Sequence, residues 1–208
     1  MSAEQRPQQF QFDLSGGHVA LDFANSISRR DSPEKTVEHL TSYHELIAFA
    51  LQSNLIARQE ADALAHEAHA QKRNAAQTLR KAIAFREAIF RVFAHLAAGG
   101  SAPAEALSSV EETATESLTH RHIVRANGGY QWAWDEAPKL ERILWPIASS
   151  AVDLLVSPEL HQLRECEAGD CYWLFLDNSR NRSRRWCSMS SCGNREKARR
   201  HYRRQHHS

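Results

Sequence analysis

Two cysteine pairs, Cys166-Glu167-Ala168-Gly169-Asp170-Cys171 and Cys187-Ser188-Met189-Ser190-Ser191-Cys192, are separated by 15 residues and hold all four cysteines of this 208-residue chain. Two close pairs on either side of a short insert can bring four thiolates to one tetrahedral Zn²⁺. Such a site supplies folding free energy that a segment this small cannot obtain from a hydrophobic core. The sequence therefore predicts one structural zinc ion, bound by Cys166, Cys171, Cys187 and Cys192.

Two other interpretations of the cysteines stay open at this point. Four unrelated buried thiols would rarely fall within one window of 27 residues. Two disulfides would need an oxidising compartment, and the chain starts with no apolar leader segment and cleavage site. We therefore expect a cytoplasmic protein with a metal site.

The overall composition is that of a globular protein. Hydrophobic residues make up 42% of the chain, which is enough for a core of ordinary size. No apolar run approaches the roughly 18 residues that a membrane span requires. We expect a soluble protein.

Positive charge is concentrated in the last 31 residues. Between Asn178 and Ser208 there are ten Arg and Lys residues and one acid, Glu196. The whole chain has 26 bases and 25 acids, which leaves 16 bases and 24 acids upstream. This asymmetry predicts a polyanionic partner, with DNA as the first candidate and RNA as a second. The alternative is a solvated basic face, or a tail that docks on the protein's own acidic body.

The apolar spacing upstream is mainly helical. It predicts a short extended piece, a glycine turn and a helix within 12–26, and helices over 36–52, 57–98, 103–118 and 138–156. We expect Ser32-Pro33 to precede the second helix, Asn74 to divide the third into two, and Pro146 to kink the last. A hairpin is predicted where His122–Arg125 and Tyr130–Trp134 flank Asn127-Gly128-Gly129. The predicted fold class is mainly α with one small β-hairpin.

The chain divides into two predicted domains, a helical domain over 12–156 and a zinc finger over 157–208. We expect Ser157-Pro158 to form the hinge, and Leu160 and Leu163 to pack the finger on the helical body. Within the finger we expect a four-cysteine knuckle-hairpin with its bend at Gly169 and a strand over 172–176. A basic helix follows over 195–206, with Asn194 as its cap.

The basic helix carries the predicted nucleic-acid contacts. Arg195, Arg199, Tyr202 and His206 share one face at helical spacing, and a helix of this width fits the major groove of DNA. Trp186 either stacks on a base or shields the metal. The predicted contact residues are Arg182, Arg184, Arg185, Arg195, Lys197, Arg199, Arg200, Arg203 and Arg204.

Two segments resemble known families. The four cysteines with Cys192-Gly193-Asn194-Arg195 resemble the CGNR zinc finger. The run Gly16-Gly17-His18-Val19-Ala20-Leu21-Asp22-Phe23-Ala24-Asn25-Ser26 resembles the glycine and Leu-Asp-Phe-x-Asn signature of the ABATE domain. The resemblance implies a bacterial stress-induced transcription regulator with a helical N-terminal domain and a C-terminal zinc finger. Ser26 stands where threonine is more common in that signature.

Asp22 and Asn25 form a polar pair three residues apart on the first predicted helix. They could line a pocket that senses a small-molecule effector, or their side chains could tie the helix to a neighbouring segment. The sequence contains no nucleophile elbow, phosphate-binding glycine loop or His-Glu-x-x-His motif. We therefore do not expect an enzyme.

Two functional hypotheses follow from these patterns. In the first, the zinc module binds DNA while the helical domain senses a ligand or mediates dimerisation. In the second, the zinc module is an interaction device for RNA or for a protein partner and has no DNA operator of its own.

Overall fold

Seven α-helices and three two-stranded antiparallel sheets form the part of the chain that the computed structural model describes, residues 10–30, 34–136 and 139–206. The helices are α1 (Val19–Ala24), α2 (Tyr43–Gln52), α3 (Arg58–Ala70), α4 (Lys72–Ala97), α5 (Ala104–Leu118), α6 (Leu144–Leu155) and α7 (Asn194–His206). The sheets pair β1 (Ile27–Ser28) with β2 (Val37–Glu38), β3 (Arg121–Ala126) with β4 (Gly129–Trp134), and β5 (Leu163–Glu165) with β6 (Leu174–Leu176).

The mainly α fold class is confirmed, and the predicted hairpin is present as β3–β4. Its turn residues Asn127 and Gly128 both have positive φ, 49° and 80°, as a two-residue hairpin loop requires. Two further short sheets occur: β5–β6 contains the strand predicted over 172–176 in the finger, whereas β1–β2 was not predicted. Their strands are only two or three residues long, which is too short for an alternating pattern to be visible.

Helix α2 begins later than predicted. The side chain of Ser42 accepts a hydrogen bond from His44 N at 3.2 Å and caps the helix there. The preceding Val37 is instead in β2. The predicted start signal at Ser32-Pro33 lies outside the described residues.

The long helical segment divides at Gln71 rather than at Asn74. Gln71 leaves the helical region, with φ −117° and ψ 55°, and Asn74 lies inside α4. The last predicted helix is a 3-10 turn over Leu140–Ile143 followed by α6. Pro146 is the third residue of α6, where the missing amide hydrogen has no helical acceptor, so a kink is not required. The predicted start at Pro138 lies outside the described residues.

The core is built around the short helix α1, whose Leu21 and Phe23 are fully buried against α4 and α6. Leu163, Leu174 and Leu176 from the cysteine-bearing segment belong to the same hydrophobic cluster. The predicted boundary at 156/157 follows the end of α6, but the packing continues across it. The helical body and the zinc segment therefore share one core.

No helix within these described ranges has both the length and the apolar character needed to cross a bilayer.

A buried arginine ties β2 to α4. Arg86 is 1% exposed and donates to both carboxylate oxygens of Glu38, at 2.6 and 2.7 Å. Its Nε also donates to Glu87, at 2.9 Å. Burial works against ionisation of Glu38, but the hydrogen bonds from Arg86 and Leu40 outweigh it and keep the pKa of this carboxyl below its ordinary value.

We expect Arg86→Met to lower the free energy of unfolding by about 2–4 kcal/mol, because it leaves the partly buried carboxylate of Glu38 without its cation, whereas Glu87 keeps its ion pair with Arg30. Arg91→Met on the same helix is the matched control, since the Arg91–Glu105 pair is exposed and should contribute less than about 1 kcal/mol. Urea denaturation of both variants measures the difference. Equal losses would contradict a structural role for the Arg86 network.

Candidate metal centre and nucleic-acid interface

The four cysteines converge on one buried point. Their sulfur atoms all lie within 4.8 Å of one another, and the Cys171–Cys187 and Cys187–Cys192 sulfur pairs are 3.6 Å apart. Four sulfurs at about 2.3 Å from a zinc ion are about 3.8 Å from each other in a tetrahedron. The geometry fits one structural Zn²⁺ and confirms that prediction. It does not support two disulfides, because all four thiols are free.

Before any metal is added, the cluster favours thiolate at Cys166 and Cys192, whereas the pKa values of the neighbouring Cys171 and Cys187 thiols are raised. Hydrogen bonds from Cys171, Cys187 and Cys192 lower the pKa of Cys166 well below its ordinary value. The amide of Cys187 also donates to the sulfur of Cys166 at 3.4 Å. Several thiolates so close together need a cation, and a zinc ion supplies that charge.

The segment around Cys192 has an unusual backbone conformation that restricts which residues fit in it. Met189–Gly193 forms one π-helical turn that leads directly into α7. A Cβ on Gly193 would lie 2.8 Å from the sulfur of Met189, so no larger residue fits without a shift. Asn194 is already helical and its side chain donates to Ser190 O at 3.3 Å. The prediction that Asn194 caps the helix was therefore wrong.

The bend of the first cysteine pair falls at Gly169, as predicted, because Cys171 N donates to Ala168 O at 3.0 Å across a turn that contains Gly169. Gly169 does not have a positive φ, whereas Tyr172, just after Cys171, has φ of 62°. The left-handed residue is thus outside the Cys-x4-Cys loop, at a position where the sequence shows no glycine or asparagine to indicate it.

The first turns of α7 are anchored to the metal centre through Asp170. Arg195 donates to one carboxylate oxygen of Asp170 at 2.9 Å, and Arg199 donates to the other at 2.8 Å. Arg195 also lies 3.2 Å from the sulfur of Cys192. Burial works against ionisation of Asp170, but the two guanidinium groups outweigh it and hold its pKa below the ordinary value. We call this group of three side chains, Asp170, Arg195 and Arg199, the Asp170 clamp.

The Asp170 clamp changes which face of α7 points outward. Arg195 and Arg199, predicted to face nucleic acid, are turned toward the first cysteine pair. At 100° per residue, the opposite side of the helix carries Lys197, Arg200, His201 and Arg204. These four side chains are all exposed. The side chain of His206, predicted on the first face, lies outside the described residues.

Arg184 and Arg185 also have partners within the protein. Arg184 donates to the carbonyl of Ser15 at 3.0 Å and of Trp186 at 2.9 Å, and it also bonds the carbonyl of Cys187. Arg185 forms an ion pair with Glu167. These contacts match the alternative in which part of the basic tail docks on the protein itself. Arg182, Lys197, Arg200, Arg203 and Arg204 are exposed, and their contacts with nucleic acid stay predictions.

Trp186 packs against the buried cysteine cluster, as does Trp173. Both indoles are half-buried, so they cover the metal centre from solvent. The shielding interpretation of Trp186 is the one that this packing supports.

Asp22 and Asn25 are buried; Asn25 holds the zinc segment on the helical body, and Asp22 holds the glycine turn that precedes α1. The Asn25 amide donates to Leu174 O at 2.8 Å and accepts from Leu174 N at 2.9 Å. Asp22 accepts from Gly16 N at 2.8 Å, and burial raises the pKa of its carboxyl to about 7. Because buried backbone groups require hydrogen-bond partners, the two side chains satisfy such groups of the protein itself rather than lining a pocket.

A cleft of about 430 Å³ lies instead between the β1–β2 hairpin and the metal centre. Its walls include Arg29, His39, Asp170, Trp173 and Arg195. Sequence reasoning missed this cleft because its two walls come from segments more than 100 residues apart. No local motif marks such a meeting of distant segments.

We expect the purified protein to contain one Zn²⁺ per chain, and Cys187→Ser to lose it. Loss of the metal should separate the two cysteine pairs and release α7, because β6 and the Asp170 clamp are built on them. Metal analysis by mass spectrometry, with circular dichroism before and after chelation, measures both effects. Ser188→Ala is the control, because the Ser188 side chain binds no metal and its loss should leave the zinc content unchanged. A purified protein without bound zinc, or a circular dichroism spectrum that does not change on chelation, would contradict the assignment of a structural zinc site.

Comparison with known proteins supports the same organisation. The ABATE family model, described as "putative stress-induced transcription regulator", matches residues 17–158, and the CGNR zinc finger model matches residues 162–205. No curated protein matches the chain. The two family models confirm the resemblance indicated by the Gly16–Ser26 segment and by the four cysteines with Gly193-Asn194-Arg195. The chain therefore belongs to the ABATE family and carries a CGNR zinc finger at its C-terminal end.

Proposed function

We propose that the protein is a transcription regulator that binds duplex DNA through the outward face of α7. This proposal rests on one observation, a difference in ion pairing between the two sides of α7. Arg195 and Arg199 are held by Asp170, whereas Lys197 and Arg200 on the other side have no ion-pair partner among the described residues. Cations that a protein does not neutralise itself are available to phosphates.

The exposure of α7 supports docking in a groove. Every residue from Arg200 to Gln205 is exposed, so at least six consecutive positions are accessible. A helix of 13 residues is about 20 Å long, and a helix of this width enters the major groove of DNA. Arginine on such a helix can donate to phosphates or to the edge of guanine.

The zinc ion has a structural role in this proposal. Four sulfur ligands leave no open coordination position for a substrate or an activated water. The centre instead fixes the start of α7, and we propose that the protein has no catalytic activity.

We expect the regulator to act as a homodimer. One short helix contacts only a few base pairs, and helices that read DNA commonly reach useful specificity by pairing two half-sites one helical turn apart. The distance between the two α7 helices of such a dimer would set the operator spacing.

The cleft beside the metal centre is the best position for an effector. Its volume of about 430 Å³ falls within the range of small-molecule sites. Arg195 and Asp170 are both in its wall, so a ligand bound there would contact the Asp170 clamp directly. Sensing by the helical domain is therefore proposed at this cleft rather than at Asp22 and Asn25.

We expect Arg200→Ala to weaken duplex binding and to reduce the slope of log affinity against log salt by about 1, because one phosphate contact is lost. Arg80→Ala is the matched control, since Arg80 is an exposed base on α4 and its loss changes the net charge equally. Fluorescence anisotropy of labelled duplex DNA at several salt concentrations measures both variants on the full chain.

Equal effects of Arg200→Ala and Arg80→Ala would contradict a contact surface on α7. Absence of any duplex binding at low salt would favour the second hypothesis, in which the zinc module binds RNA or a protein partner.

A further inference from the structure

The hairpin β3–β4 carries a row of aromatic and basic side chains on one face. Directly opposed residues are Arg121 with Trp134, Ile123 with Trp132, and Arg125 with Tyr130. Alternate residues of a strand point to the same side of a sheet, so these six side chains share one face. The hairpin is thus a two-stranded ribbon with an aromatic strand beside a basic one.

The outer part of this face is open to solvent. Tyr130 is 79% exposed, Ile123 is 61% exposed and Trp132 is 58% exposed. Large aromatic side chains rarely remain this exposed without a binding role, and here they are adjacent. We call the face formed by Ile123, Arg125, Tyr130 and Trp132 the hairpin platform.

The inner end of the ribbon is fixed to the body. Trp134 packs near the buried Trp145, with ring centroids 6.2 Å apart, and His120 stacks on the same indole at 4.0 Å. The guanidinium of Arg121 lies over Trp132 at 4.8 Å and over Trp134 at 5.4 Å. These contacts hold Trp132 and Trp134 in place before a ligand binds, which lowers the entropic cost of binding.

The hairpin platform carries one positive charge, Arg125, and the inner end of the ribbon carries a second, Arg121. From residue 121 to residue 134 there are two arginines and no acid, although acids outnumber bases in the chain before Asn178. The nearest acid, Asp135, is at the root of the ribbon and pairs with His120 and His122, at 3.0 and 3.3 Å. The charge therefore suits a polyanion.

The size of the platform argues against a stable protein interface. Three partly exposed side chains offer roughly 300–400 Å² of apolar surface. A standard interface buries about 800 Å² on each partner. A second copy of the chain would need much more contact area than this ribbon provides.

The spacing of the rings fits single-stranded nucleic acid. Tyr130 and Trp132 are two residues apart on one strand, a separation of about 6.7 Å. Bases of a duplex are stacked about 3.4 Å apart inside the helix and cannot reach such rings, whereas unpaired bases can spread and stack on them. Arg125, paired across the ribbon with Tyr130, is positioned for the backbone phosphates.

We infer that the hairpin platform binds single-stranded nucleic acid, with bases stacked on Tyr130 and Trp132. This site is separate from α7 and uses a different form of nucleic acid, so it extends the proposed function beyond duplex binding.

The test is binding of labelled 12-nucleotide DNA and RNA of the same sequence to the full chain, at a salt concentration that screens the attraction of α7. Trp132→Ala should weaken binding about 5- to 150-fold, the usual effect of removing one stacking ring. Trp132→Phe should keep most of the affinity because the ring is retained. Gln131→Ala is the matched control, because Gln131 is exposed on the opposite face of the same strand.

Unchanged affinity of Trp132→Ala, with a wild-type unfolding midpoint, would overturn the inference. It would also be overturned if Trp132→Ala converted a dimer to a monomer in light scattering while single-strand affinity stayed the same. Duplex binding separates the two proposals. Arg200→Ala should weaken only duplex binding and Trp132→Ala only single-strand binding, so either proposal can fail alone.

Discussion

The convergence of four thiolates on one point determines how the C-terminal segment of this protein is arranged. Cys171 and Cys192 belong to different cysteine pairs, and a shared zinc ion brings those pairs together. Asp170, next to Cys171, thereby comes within hydrogen-bond distance of Arg195, three residues after Cys192. The metal thus sets the direction of α7 through a carboxylate that is not itself a ligand.

The zinc centre does not form an independent finger on a linker. Asn25 pairs with both backbone groups of Leu174, and the indole of Trp173 donates to Ile27 O at 2.9 Å. β6 therefore joins the metal to the core around α1. Because the cleft, the metal centre and α7 are linked by direct contacts, the proposed effector in the cleft would act on the proposed DNA-binding face without a large domain movement. The same arrangement explains why the buried polar pair, Asp22 in α1 and Asn25 directly after it, stabilises the fold rather than forming a pocket.

Sequence reasoning identified what local pattern encodes. The helices follow from apolar periodicity, the hairpin from Asn127-Gly128, and the metal ligands from cysteine spacing. It could not determine which side of α7 faces outward, because basic residues surround this helix on nearly all sides. That choice depends on Asp170, which lies 25 residues before Arg195 and becomes its partner only after the metal site closes. Of the short strands, β6 falls within the strand predicted over 172–176, whereas β1, β2 and β5 were missed because they form only when distant segments meet.

The most direct test of this account is the affinity of Asp170→Asn for duplex DNA. This change removes a negative charge near the basic helix, so simple electrostatics predicts tighter binding. Our account predicts weaker binding at an unchanged zinc content, because α7 loses the anchor that orients it. Glu167→Gln is the control, since Glu167 pairs with Arg185 and its loss alters the charge equally without touching α7. Binding by Asp170→Asn as tight as that of Glu167→Gln would contradict the account.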